Sequence, residues 1–215
     1  MGVLLLMVVL LAVPLAYADS WLLPETRDYY SRNRVFRFTV IPRSLRSQLD
    51  YFSDKAAGRE PAGTLSEGQP VATGILSRRT GEGAYEIVWR RTLSNDVAPV
   101  NVLVSASGQY VVTFDNWHRV GHGKNTVVIY GPGGRLIREF ALRDLMSEQE
   151  VRELPRSVSS IWWGRGHYLD QDETFLVLRI VSNGKMPHQE EARFRLLRIE
   201  LSTGKIERHA GGSGG

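Results

Sequence analysis

The stretch that decides the fold is residues 105–114, SASGQYVVTF, a small polar turn that runs directly into an aromatic and β-branched segment. Small polar residues favour turns because their side chains bond to nearby backbone, and β-branched and aromatic residues favour strands. Polar, polar and aromatic residues at relative positions 0, 2 and 5 occur three times: Ser31, Asn33 and Phe36; Ser105, Ser107 and Tyr110; Asp170, Asp172 and Phe175. We therefore predict three equivalent turns, each of which enters a strand.

A predicted hairpin follows each of these strands, and glycine supplies the positive φ that its turn requires. The hairpin turns are at 80–83, 131–134 and 202–204. A further strand is predicted at 100–104 and at 157–163, whereas the third unit ends before the corresponding strand. The sequence thus predicts a mainly β fold of three four-stranded antiparallel meanders. Their units are about 31–104, 105–164 and 170–209.

One short helix is predicted near residues 147–154. Ser147 is a suitable N-cap, Glu150 closes a capping box with it, and Pro155 ends the helix. This helix lies in the connection that follows the second hairpin, where we expect it to cover the open end of the meander.

Two segments resemble the blades of a β-propeller, in particular the WD-like and Tol-type repeats of exported bacterial proteins. Residues 105–112, SASGQYVV, resemble the opening turn and strand of such blades, and residues 127–137, VVIYGPGGRLI, resemble their central hairpin. Closed propellers contain four to eight blades, so three units imply an open or incomplete propeller-like arc. A sandwich-like packing of the meanders, and an oligomer that forms through the exposed sheet edges and completes the ring, are the alternatives.

The two ends of the chain differ in composition from the rest. Residues 1–18, MGVLLLMVVLLAVPLAYA, combine a short apolar run with a final Ala-Tyr-Ala, the pattern of a secretory signal peptide. We expect cleavage after Ala18, export to the periplasm or the extracellular space, and no stable membrane insertion afterwards; an uncleaved anchor is the alternative. Residues 19–209 then form a single β-repeat domain, and residues 210–215 form a flexible Gly/Ser tail.

The charge and the absence of cysteine exclude several functions. The chain has 27 Lys and Arg residues, 23 Asp and Glu residues and no cysteine. Because no thiol is present, disulfides, thiolate nucleophiles and iron–sulfur clusters are excluded. The arginines are dispersed and alternate with apolar residues in 36–40 and 193–196, which places them on solvated strand faces. No nucleic-acid partner is therefore predicted.

Strand direction sorts the connections into two ends. In an up-and-down meander, the first and third connections lie at one end, and the second connection and the link to the next unit lie at the other. In this chain the first and third connections are the long ones. The long connections are 42–70, 94–99, 115–125, 143–156 and 183–192. Long loops on a rigid sheet often carry binding residues, so this long-loop end is the predicted functional face. By the same topology, His167, Asp170 and Asp172 are expected at the opposite end.

The densest chemistry at the long-loop end lies in residues 115–125, DNWHRVGHGKN. The main prediction is a loop ordered by Asx turns, with exposed histidines. The alternatives are a divalent metal site of Asp115, His118 and His122, or acid–base catalysis by His118 and Asp115. Glycines between the histidines disfavour the helix that metalloproteases use, and the adjacent glutamate is missing. The predicted binding residues are Asp96, Asn116, Trp117, His118 and His122.

These features favour an exported, non-enzymatic β-repeat protein that binds a protein, a peptide or a glycan through its long-loop end. No cofactor is predicted. Two alternatives remain. One is a metal-dependent or acid–base hydrolase, related to propellers, that uses the 115–122 loop. The other is a fragment or a subunit of a larger propeller.

Overall fold

The computed structural model describes residues 22–81 and 83–207. The predicted signal peptide at 1–18 and the predicted tail at 210–215 lie outside these residues. In the described part of the chain, no helix is both long enough and apolar enough to cross a bilayer.

Three four-stranded antiparallel sheets form the fold, which confirms the predicted mainly β, blade-like architecture. In each sheet, neighbouring strands are consecutive in the chain. Sheet one contains β1 (Arg27–Tyr30), β2 (Phe36–Ile41), β3 (Thr73–Arg79) and β4 (Tyr85–Thr92). Sheet two contains β5 (Asn101–Val104), β6 (Val111–Phe114), β7 (Val127–Tyr130) and β8 (Leu136–Phe140). Sheet three contains β9 (Tyr168–Leu169), β10 (Phe175–Val181), β11 (Phe194–Glu200) and β12 (Ile206–Glu207).

Each sheet begins one strand earlier than the predicted unit. The strand at 100–104, expected to end the first unit, is β5, and it pairs with β6 in a register that runs from Asn101↔Phe114 to Val104↔Val111. The short turn between β5 and β6 holds these two strands together, whereas residues 93–100 lead the chain away from β4. The predicted strand at 157–163 is also absent, and only isolated bridges join Ile161 to Arg156 and Gly164 to Ile180. The Trp163 side chain of this irregular segment is buried in the core.

The repeated residues have the same role in all three turns. The side-chain oxygen of the first residue accepts a hydrogen bond from the backbone N–H of the aromatic residue five positions later. The distance is 2.9 Å in every turn, and the pairs are Ser31 with Phe36, Ser105 with Tyr110, and Asp170 with Phe175. The spacing found in the sequence is therefore the spacing of a side chain that closes its own turn.

The three turns also contact one another at the short-turn end of the molecule. Asn33 Nδ2 donates to the carbonyl oxygen of Ala106 at 2.9 Å. The Glu173 carboxylate accepts from the N–H groups of Ala106 and Ser107, the latter at 3.0 Å. The middle turn is thus held from both sides, and the three sheets are joined at this end.

Sheet two lies between the other two sheets, and every residue of β6 and β7 is buried. Successive side chains contribute to different cores. Val111 and Val128 pack against sheet one, with Phe38 and Trp89, in one cluster. Val112 and Ile129 pack against sheet three, with Leu178 and others, in a second cluster. This is why β7 is apolar throughout and β6 is interrupted by a single polar residue, Thr113, whose hydroxyl is paired with Asn95.

Three helices lie in the long connections: α1 (Gln48–Ala56), α2 (Leu142–Leu145) and α3 (Glu148–Glu153). The predicted helix corresponds to α3, whose Ser147 and Glu150 form the expected capping box. α1 was not anticipated, although Ser47 Oγ caps it by accepting from Asp50 N at 3.0 Å.

We expect Ser105→Ala to lower the free energy of unfolding by about 0.5–1.5 kcal/mol, because it removes the acceptor of the Tyr110 N–H in a partly buried turn. Urea denaturation of the wild-type and variant chains measures this difference. Ser53→Ala, on the exposed surface of α1, is the control and should change stability by less than about 0.5 kcal/mol. An equal loss in both variants would contradict the role assigned to Ser105.

Candidate functional site

The long loops meet at one end of the molecule through backbone hydrogen bonds. Arg43 N donates to the Val97 carbonyl oxygen at 2.9 Å, and Trp117 N donates to Ala98 at 2.8 Å. Ile161 N donates to Val120 at 2.9 Å. Connections 42–72, 93–100, 115–126 and 141–167 are therefore joined in series. The candidate residues lie along this series.

Asp115 follows β6 directly and turns inward with a φ of 57°. Its carboxyl group is buried and accepts from Gly121 N at 2.7 Å and from Trp163 Nε1 at 3.0 Å. Burial raises the pKa of Asp115 to about 7, and the two hydrogen bonds oppose this rise. Asp115 therefore joins its own loop to the connection that carries Trp163, and its carboxyl faces the interior.

Asn116 is buried within a network of amide side chains. Its Oδ1 accepts from Asp96 N at 3.1 Å, and its Nδ2 donates to Asn125 Oδ1 at 2.7 Å. Asn125 in turn donates to the Ser94 carbonyl oxygen. The predicted binding residue Asn116 thus fixes the positions of two neighbouring loops, and its polar atoms are already paired.

Trp117 and His118 join two residues of α1 in an aromatic cluster. The Trp117 ring lies 5.3 Å from the Tyr51 ring, and both side chains are buried. The half-buried His118 ring lies 4.2 Å from the Phe52 ring and 5.7 Å from Trp117. Burial is the main cause that raises the pKa of Tyr51 to about 12. The packing of these rings holds the 42–72 loop against the 115–126 loop.

Asp96 lies beside this cluster and interacts with cations of connection 42–72. One carboxylate oxygen is 3.5 Å from Arg43 Nη2, and the other is 3.8 Å from Lys55 Nζ. The Arg43 guanidinium is buried and also donates to the Ala62 carbonyl oxygen at 2.9 Å. Asp96 therefore compensates a buried positive charge.

His122 lies on the other side of Asn116, which donates to its carbonyl oxygen at 3.3 Å. Burial lowers the pKa of His122, and Arg119 and Arg156 lower it further. Among residues 22–81 and 83–207, no three His, Asp or Glu side chains are grouped so as to hold a metal ion. Asp115, His118 and His122 consequently form no such group. Asp115 contacts Trp163, and His118 contacts Phe52. The pKa of His122 is lowered by two arginines.

His167 was expected at the opposite end of the molecule, but its ring stacks on Trp163 at 4.5 Å and on Phe114 at 4.9 Å. Its Nδ1 accepts from Arg179 N at 3.1 Å. Burial, followed by the nearby Arg179 charge, lowers the pKa of His167 to about 3, so the ring is neutral at physiological pH. The chain reaches this position because 157–167 is irregular, and a Cβ at Gly164 would collide with the His167 ring.

Two adjoining grooves open at the long-loop end, and no sequence pattern predicts them. The larger has a volume of about 480 Å³ and is lined by Tyr29, Pro99 and Trp117, among others. The smaller has a volume of about 230 Å³ and is lined by Leu45 and Leu65. Both grooves include Leu23 and Pro24.

The segment that separates these grooves is an extended stretch of the chain itself. Trp117 Nε1 donates to the Leu22 carbonyl oxygen at 2.8 Å and so holds residues 22–26 on the loop surface. The Leu22 and Leu23 side chains are 84% and 41% exposed, and Leu65 is 39% exposed. The rim of the grooves therefore carries accessible leucines, beside polar residues such as Glu25 and Arg27.

We expect Asp115→Asn to flatten the pH dependence of stability between pH 3.8 and about 7. In this range the unfolded chain has released the Asp115 proton, whereas the folded chain retains it. The folded state binds more protons there, so the wild-type free energy of unfolding falls as pH rises through the range. Urea denaturation of both chains at a series of pH values measures this slope. Asp172→Asn, at an exposed position, is the control, and an unchanged slope in Asp115→Asn would contradict the assignment.

Comparison with known proteins gives little similarity. No protein-family model matches the chain, and no curated protein matches it. A similar solved structure is the periplasmic gluconolactonase of Pseudomonas aeruginosa, with 11% sequence identity and a TM-score of 0.40. The match covers 85% of this chain and 37% of that chain, so this chain spans little more than a third of its neighbour's length. The propeller-like character of this chain rests on its own three sheets.

Proposed function

We propose that this chain is an exported, non-enzymatic binding module that holds an apolar segment of a partner protein at its long-loop end. The observation that carries the proposal is the pair of adjoining grooves that share Leu23 and Pro24. Accessible leucines beside a concave surface are typical of protein interaction sites. Export is supported by the signal-peptide pattern of residues 1–18.

The chemistry of the grooves favours a protein partner over a glycan. Sugars are bound by exposed aromatic faces together with many hydrogen-bonding groups, but the Trp117 ring is buried and its Nε1 is used by Leu22. Leucine and proline side chains instead gain free energy by excluding water from apolar surface.

The charges of the surrounding loop support an apolar mode of binding. Residues 42–72 carry four basic and four acidic side chains, so this connection has no net formal charge. Several of these groups pair with each other: Arg46 with Asp50, Arg59 with Asp54 and Lys55 with Glu60. The affinity of a partner is therefore expected to depend weakly on salt concentration.

The hydrolase alternative has weaker support at this end of the molecule. An acid–base pair needs two titratable groups within reach of the same substrate atom. The Asp115 carboxyl is buried against Trp163, and the His118 ring stacks on Phe52. The two predicted catalytic residues thus contact different parts of the fold.

A peptide library tests the proposal. The mature chain is immobilised and panned against a random phage-displayed peptide library, and the affinities of enriched peptides are measured by fluorescence polarisation. We expect enriched peptides to contain apolar residues and to bind Leu23→Glu at least about tenfold more weakly, since a buried leucine contributes about 1.5–3 kcal/mol.

The matched control is Leu136→Glu, because Leu136 is 46% exposed on β8, away from the grooves. It should leave the affinity of the peptides unchanged. No enrichment of peptides, or an equal loss of affinity in both variants, would rule out this site. Binding to a glycan array that Leu23→Glu does not weaken would favour the glycan alternative.

A further inference from the structure

The three sheets are arranged around one axis. A groove of about 690 Å³ is lined by the first strand of every sheet, with Tyr30 from β1, Val102 from β5 and Tyr168 from β9. The sheets therefore radiate from a common centre, with their first strands innermost. Such an arrangement leaves one face of sheet one and one face of sheet three without a neighbouring sheet in the described chain.

The uncovered face of sheet one lies opposite Phe38 and Leu76, which pack on sheet two. Pairing in the sheet places Arg37, Ser77 and Ile87 in one row. Thr39, Ile75 and Arg90 form the next row. Ile87 is 64% exposed, in contrast to the fully buried side chains on the other face.

The uncovered face of sheet three lies opposite Leu176 and Leu178, which pack on sheet two. Arg179 is paired with Leu196, and Val177 is paired with Arg198. Leu196 is 56% exposed. Both ends of the arc thus present a large apolar side chain surrounded by arginines.

We propose that two copies of this chain form a closed ring, in which sheet one of each copy packs on sheet three of the other. The contact continues the packing that already places sheet one on sheet two and sheet two on sheet three. Two copies supply six sheets, within the range of four to eight that closed propellers contain. The central groove then becomes a channel lined by both copies.

The composition of the two faces fits such an association. On sheet one, the Arg37 guanidinium lies 4.2 Å from the centre of the Tyr85 ring, and on sheet three Arg198 lies 4.1 Å from Phe175. Arginine and tyrosine are enriched in protein interfaces, and interfaces of separable subunits are no more apolar than ordinary surface. Faces that combine apolar side chains with arginines can be solvated in the separate chain and buried against each other in the ring.

The charges of the two faces favour contact between sheet one and sheet three over contact between identical faces of sheet one. The face of sheet one carries Arg37, Arg79 and Arg90 against one carboxylate, Asp28. The face of sheet three balances Arg179 and Arg198 with Glu200 and Glu207. Glu207 is already paired with Arg198 at 2.8 Å, so sheet three presents a face without excess charge to the positive face, whereas two copies of the face of sheet one would repel each other.

Sedimentation equilibrium of the mature wild-type chain, Ile87→Glu and Leu196→Glu tests this arrangement. We expect a two-chain species for the wild type. Each substitution places a charge in the contact and should raise the dimer dissociation constant by about tenfold or more. The control is Leu49→Glu on α1, where Leu49 is 76% exposed and lies on neither face; it should leave the constant unchanged.

The other outcomes overturn the proposal. A wild-type chain that remains a monomer at all concentrations excludes the ring. A dimer that only one of the two face variants weakens indicates a contact between identical faces, and assemblies that grow beyond two chains exclude closure. Circular dichroism melts of every variant distinguish a loss of association from a loss of folding. We expect unchanged melting temperatures, because the substituted side chains are largely exposed.

Discussion

The burial of sheet two on both faces is the constraint on which the rest of the structure depends. β6 and β7 have no solvated side, so the central sheet is stable only when sheets one and three cover it. Its side chains alternate between two cores, and each core requires a different neighbour. Because the hydrophobic contribution grows with the apolar area removed from water, loss of either outer sheet would expose half of the central one.

The two ends of the sheets are stabilised by different kinds of hydrogen bonds. At the short-turn end, side chains close their own turns, and Glu173 and Asn33 join the turns to each other. At the opposite end the chain must cover the sheets with long loops, whose backbone groups need partners away from regular structure. Asp115, Asn116 and Asn125 supply these partners from the interior. As a result, the carboxyl group of Asp115 is buried away from water, and this burial raises its pKa.

The sequence was a good guide wherever the determining interaction is local. The turns were recognisable because Ser105 and Tyr110, only five residues apart, bond to each other. The central strands were recognisable because burial on both faces makes 127–130 continuously apolar and leaves Thr113 as the single polar residue of 111–114. The assignment of β5 to a sheet failed because it depends on which neighbour the strand pairs with, and both choices satisfy the same pattern.

The candidate site shows the same limit. The chemistry of Asp115, Asn116 and Trp117 is readable from the sequence, but the direction of their side chains is not. A positive φ turns Asp115 inward, and neighbours distant in sequence fix Asn116 and Trp117. The groove leucines went unnoticed because Leu23 and Leu65 belong to one surface only after folding. His167 was misplaced because the rule of alternating strand ends does not apply to an irregular segment.

Each sheet is built from one uninterrupted stretch of chain, in the order of synthesis. The first sheet can therefore pair its strands before the second has emerged, without waiting for a strand from the far end of the chain. Its apolar face then stays open until residues 101–140 arrive, which makes the nascent chain most prone to aggregation at that moment. A delay between the emergence of β4 and the emergence of β8 into the folding compartment would prolong this exposure, whereas rapid emergence of β8 would shorten it.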